Sequence, residues 1–101
     1  MRIPEITRES IDAWAESARP VGGFVQAVLE NNLREAFARA DRENTAAMHD
    51  IVSYRYNEIP GLCWGSPERV AEWPDEIDRL RALTAKLNRS RHVEKMDADT
   101  D

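Results

Sequence analysis

Apolar residues step by three and four along this chain, and no segment alternates with a two-residue period for long enough to make a strand. The chain is therefore predicted to be all-α, a small helical domain of four to five short helices. Ile3, Ile6, Ile11, Trp14 and Ala18 mark the inward face of a first helix entered at Pro4, with Glu5, Arg8, Glu9, Asp12 and Glu16 on the other side. Arg19-Pro20-Val21-Gly22-Gly23 is turn chemistry and ends it. Phe24, Val25, Val28 and Leu29 carry a second helix. The paired glycines before it permit φ > 0 and close backbone approach, which suits either a tight corner or a ligand laid against bare amides.

Asn31-Asn32 is a break, and the next helix should turn Leu33, Ala36, Phe37 and Ala40 inward. Asp41 or Asn44 then offers an N-cap for a helix running to about Asn57, with Ala47, Met48, Ile51, Val52 and Tyr56 on one face. From Val70 the apolar positions are Trp73, Ile77, Leu80, Leu83 and Leu87, a nearly coiled-coil strip fit for its own core or for a partner subunit. Pro74, followed by Asp75 and Glu76, predicts a short helix over 67–73, a kink, and a helix over 74–88. Beyond that the periodicity stops and the chain ends acidic. The division expected is a helical domain over 1–88 and a disordered acidic tail over 89–101.

The helical patterns meet in one loop, Tyr56 to Arg69, where prolines, glycines, the single cysteine and a tryptophan crowd together. Ser66, Pro67 and Glu68 read as N-cap, first helical position and first-turn acid. Unpaired N–H groups and partial positive charge at such a helix start can hold an anion, and Arg69 lies within one turn of it. A helix start that merely caps itself is the commoner outcome.

Net charge of −5 argues against a polyanion binder, which would carry a basic face. The 33–42 segment has Arg34, Arg39 and Arg42, but Glu35 and Asp41 interleave, so a DNA-reading helix is disfavoured. Small anions remain open, because a pocket needs only two or three local charges. No apolar run spans a membrane, the N-terminus lacks an apolar leader core, and one cysteine forms no internal disulfide, so a cytoplasmic setting is expected. His49, His92 and Cys63 have no metal-ligand spacing and Cys63 has no local histidine. No pair of carboxylates singles itself out as acid and base. Neither an enzyme nor a cofactor is expected.

Two stretches are familiar together. One is PVGGFVQAVLENNL from Pro20 to Leu33, followed by Ala38 to Asp41 and Asn44. The other is Ile51 to Asn57, continuing through Pro60 to Cys63-Trp64-Gly65-Ser66-Pro67-Glu68-Arg69-Val70 and Trp73. In order and spacing they resemble the small phage anti-CBASS proteins, cyclic-nucleotide sponges whose relatives include a short T4 early protein. The resemblance covers about residues 3–73. It implies an all-helical protomer assembled as a hexamer, which sequesters the cyclic di- and trinucleotide signals of a bacterial immune cyclase, such as cyclic GMP-AMP and cyclic triadenylate, without cleaving them. The dinucleotide would stack on an aromatic of the first helix, which falls on Trp14 where relatives tend to have tyrosine. It would sit beside Gly23 and Phe24, with Arg8 or Arg19 standing in for a phosphate-binding lysine that this chain lacks. The trinucleotide would fall to Ser66, Pro67 and Arg69. The alternative is a helical protein-interaction module acting through the 70–87 strip.

Overall fold

The computed structural model describes the backbone of residues 3–100 and the side chains of residues 3–89. Among them are six α-helices, one 3₁₀ turn and no strand: α1 (Glu5–Ser17), α2 (Gly23–Leu29), α3 (Leu33–Arg39), α4 (Arg42–Ala46), α5 (Met48–Glu58), the 3₁₀ turn (Gly61–Cys63) and α6 (Pro67–Thr100). The all-α expectation holds. The count exceeds four to five because the stretch after Asp41 makes two helices, broken at Ala47 (φ −96°, ψ 7°).

Local chemistry sets most of the helix ends. Asn32 caps α3 by accepting from the Glu35 amide at 3.2 Å, and Asp41 caps α4 by accepting from the Asn44 amide at 2.8 Å. At the end of α1, Ala18 takes the left-handed conformation (φ 53°, ψ 37°) while the Arg19 amide reaches back to the Ala13 carbonyl. An L-residue there costs about 1–2 kcal/mol. Ala18→Gly is therefore expected to raise stability by about 0.5–1 kcal/mol once the looser unfolded chain is allowed for. A urea titration checks this, and a lower midpoint would contradict it. Left-handed backbone occurs at Ala18, Asn31 and Gly65, not at the Gly22-Gly23 pair, where the sequence pointed to it.

The core is built from Ile11 and Trp14 of α1, Val25, Ala27, Val28 and Leu29 of α2, Ala36, Met48 and Ile51, Cys63 of the 3₁₀ turn, and Val70, Trp73 and Ile77 of α6. Several faces differ from expectation. Ile6 is 82 % exposed and Thr7 is buried in its place, its hydroxyl donating to Asn44 Oδ1 at 2.6 Å. Leu33 and Phe37 face outward, because α3 has two turns and packs on α2 through Ala36. On α5 the inward face is Met48, Ile51 and Arg55, which leaves Tyr56 exposed.

α6 is one helix of 34 residues with Pro74 inside it, so the kink predicted there does not divide it. Proline removes the amide that would bond Val70 O, yet both Trp73 and Ile77 must reach the core from a single helical face. A helix of that length spans about 50 Å. It stretches the molecule to 63 × 28 × 19 Å, with a radius of gyration of 17.8 Å against the roughly 13 Å usual for 100 residues. Of the disordered tail expected over 89–101, the side chains from residue 90 onward lie outside the described residues, although α6 itself runs to Thr100.

Candidate functional site

Three tryptophan indoles tie the loop before α6 to the body. Trp14 Nε1 donates to Cys63 O at 2.9 Å, Trp73 Nε1 to Trp14 O at 2.8 Å, and Trp64 Nε1 to Ile59 O at 3.0 Å. The Gly65 amide donates to Leu29 O at 2.7 Å, closing one of the open carbonyls at the end of α2. The neighbouring Val28 O accepts from Arg55 Nη1 at 2.6 Å. Arg55 also reaches Asn31 Oδ1 at 3.4 Å and lies over the Trp64 ring, 4.3 Å from its centroid. A buried cation against the carbonyl end of a helix is favourably placed. Burial holds its pKa below the ordinary arginine value.

On this scaffold the loop presents a polar and aromatic edge. Tyr56, 72 % exposed, stands edge-on to Trp64 with centroids 6.1 Å apart and planes at 60°. Ser66 Oγ accepts from the Arg69 amide at 3.1 Å, and Pro67 opens α6, so the helix start read from sequence is present. The Arg69 guanidinium folds back over the loop, with Nη1 donating to Gly61 O at 3.2 Å and Trp64 O at 3.4 Å. Among the described residues it has no carboxylate partner. Gly65 sits beneath it at φ 117°, a backbone conformation that favours glycine, and a Cβ there would come within 3.1 Å of Arg69 Nη1 and displace the guanidinium slightly.

The residues expected to hold a dinucleotide are not gathered in the protomer. Trp14 is a core residue, 6 % exposed, with its indole N–H committed to Cys63 O, so it offers no face for stacking. Arg8 is exposed, 3.9 Å from Asp12, and lines a cavity of about 360 Å³ with Ile3, Glu5, Glu9 and Asp12, which is an acidic setting for a phosphate. Arg19 is exposed in the α1–α2 turn, and Phe24 is half-buried against the core. Gly23 lines a different cavity of about 290 Å³ with Gln26, Ala27, Asn32, Glu35 and Arg39, and a Cβ on it would come within 2.8 Å of Arg39 Nη1. The two cavities share no residue. By contrast, Ser66, Pro67 and Arg69 do come together, joined by Trp64 through its carbonyl, with Tyr56 edge-on to the Trp64 ring; sequence reasoning had assigned these two aromatics to pinning the loop and to the core.

Two other groups are chemically defined by their surroundings. The Cys63 thiol is fully buried, with Sγ 3.1 Å from Pro60 O, and burial pushes its pKa up to about 11. It is a thiol at neutral pH, not a thiolate. The Tyr54 hydroxyl donates to the Asp12 carboxylate, which raises the tyrosine pKa above its usual value. Among the described residues no helix is long and apolar enough to cross a membrane. No protein family's sequence profile matches the chain, and neither a curated protein nor a solved structure does so.

Proposed function

We propose that this protein binds cyclic di- and trinucleotide second messengers and holds them without cleavage, as a homo-hexameric phage anti-CBASS sponge that keeps an immune effector inactive. The observation that carries the reading is the α5–α6 loop. An exposed tyrosine ring there stands edge-on to Trp64, whose carbonyl, with that of Gly61, holds the Arg69 guanidinium at the start of a long capped helix. Flat rings stack on bases, and arginine's planar fork matches phosphate oxygens. An incoming phosphate would take Arg69 from two neutral carbonyls rather than from a competing carboxylate, so little is lost on binding.

This loop is the trinucleotide side of the reading, with Ser66, Pro67 and Arg69 at the phosphates and Tyr56 at a base. The dinucleotide side rests on Arg8, Arg19, Gly23 and Phe24, and Trp14 acts there only by fixing the α1 backbone. Isothermal titration with cyclic triadenylate and with 3′,3′-cyclic GMP-AMP tests both. Tyr56→Ala and Arg69→Ala are each expected to weaken the trinucleotide by about 1–3 kcal/mol, the scale of one lost base stack. Both should spare the dinucleotide. Equal losses on both ligands would contradict separate sites, and the absence of heat with either would end the reading.

The alternative, a helical interaction module, draws support from Leu80, Leu83 and Leu87, which are 39 %, 53 % and 52 % exposed. The strip is shorter than 70–87, because Val70, Trp73 and Ile77 are already buried in the protomer's own core.

A further inference from the structure

Among the described residues Arg55 is the one charged side chain in the core, and no carboxylate there pairs with it. Its Nε is buried with no hydrogen-bond partner among them. An apolar side chain of similar length would avoid both costs, so the buried cation calls for a use. The Nη1 bonds to Val28 O and Asn31 Oδ1 employ one end of the guanidinium. Its flat face is engaged elsewhere, with Cζ 4.3 Å from the centroid of the Trp64 ring. Trp64 in turn touches the two groups that the loop would offer to a base and a phosphate. Its ring meets Tyr56 edge-on, with centroids 6.1 Å apart. Its carbonyl accepts from Arg69 Nη1 at 3.4 Å, while its own indole N–H is held by Ile59 O at 3.0 Å.

We propose that Arg55 is a positioning residue for the loop site: its guanidinium clamps the Trp64 indole, and the indole sets where Tyr56 and Arg69 meet the nucleotide. This deepens the reading of the loop as the trinucleotide side and rests on it. Buried as it is, Arg55 acts through Trp64 and not by touching the ligand. The same contact divides the work between the two rings. One face of Trp64 is covered by the guanidinium, so the exposed ring left for a base is Tyr56. Lysine does not substitute, because a planar guanidinium lies flat on an indole and an ammonium does not. The α2 contact does not by itself account for the arginine either, since a single donor of any shape would serve Val28 O.

Arg55→Met, which keeps the packed stem, tests the proposal through two measurements on the full chain. The first needs no ligand. The indoles of Trp14, Trp64 and Trp73 each donate to a carbonyl, so their N–H exchange is compared in one NMR sample. A lost clamp should speed the Trp64 indole about tenfold more than the other two, whereas a merely structural loss speeds all three alike. The second is isothermal titration well below the melting temperature. Cyclic triadenylate should bind about tenfold more weakly than to the wild type, with 3′,3′-cyclic GMP-AMP unchanged. Arg55→Lys should match Arg55→Met in both measurements, because charge without a flat face does not hold the ring. The proposal is overturned by three indoles that respond alike, by an Arg55→Lys that behaves as wild type, or by equal losses on both nucleotides. A wild type that gives no heat with cyclic triadenylate overturns the loop reading, and this proposal with it. A wild type that binds, beside an Arg55→Met that binds as tightly, overturns this proposal alone.

Discussion

Trp14→Ala is expected to lower the unfolding free energy by about 3–5 kcal/mol, the cost of removing a large buried aromatic from a packed core. The indole fills space between α1, the 3₁₀ turn and α6, and its N–H satisfies a carbonyl of the fully buried Cys63. Left without that donor, Cys63 O bears an additional desolvation penalty of about 1–3 kcal/mol, partly included in the first figure. A domain of this length has only about 5–15 kcal/mol in total, so the variant loses a large share of its stability. Thermal melting followed by circular dichroism should show a fall of more than about 10 °C. Trp14→Phe keeps most of the volume and loses the hydrogen bond, so its loss should be about 1–2 kcal/mol. A Trp14→Ala variant that melts like the wild type but no longer binds a dinucleotide would restore Trp14 as a stacking residue.

Arg55→Ala comes next, with an expected loss of about 2–4 kcal/mol: the charge-assisted hydrogen bond to Val28 O, which keeps only the Asn31 amide, plus a desolvated cation–π contact with Trp64. Two costs of the native arrangement work against that loss. The guanidinium is 5 % exposed without a carboxylate partner among the described residues, and its Nε has no hydrogen-bond partner among them. Arg55→Met removes the charge while keeping the packed stem, so it should lose less, about 1–2 kcal/mol. Arg55→Lys should not rescue, because an ammonium neither lies flat on the indole nor forks to two acceptors. Urea titration of the three variants checks the order. If Arg55→Met were the worst of them, the charge itself would be the stabilising feature.

The fold was readable wherever the cause is local. Proline at the entry to α1, the break at Asn31-Asn32 (where Asn32 proves to cap α3), Asp41 as a cap, and Ser66-Pro67 at the start of α6 act within four residues of themselves, and each end falls near where those residues put it. Which face turns inward is set by distant packing, and there the spacing misled. Met48, Ile51 and Arg55 share one face of α5, while Val52 and Tyr56 share the next. Apolarity favoured Tyr56, but Arg55 turns inward, where its guanidinium donates to Val28 O at the end of α2 and lies over the Trp64 ring. The same limit applied at Trp14. A tryptophan on the apolar face of α1 looks alike whether it meets a base or a carbonyl 49 positions away. Pro74 stayed inside α6 because the pull of Trp73 and Ile77 on the core outweighs one missing hydrogen bond. The Ser66–Arg69 site was visible because its parts are contiguous in sequence. Tyr56, ten residues earlier, joins it only through the fold.

The central claim is that the loop between α5 and α6 captures a cyclic nucleotide and returns it unchanged. Its most direct test is titration calorimetry of wild type and Arg69→Ala with cyclic triadenylate, followed by chromatography of the ligand after incubation. The account predicts saturable heat for the wild type, at least a fivefold weaker fit for the variant at an unchanged melting temperature, and ligand recovered intact. No heat, indistinguishable affinities, or a linearised ligand would contradict it.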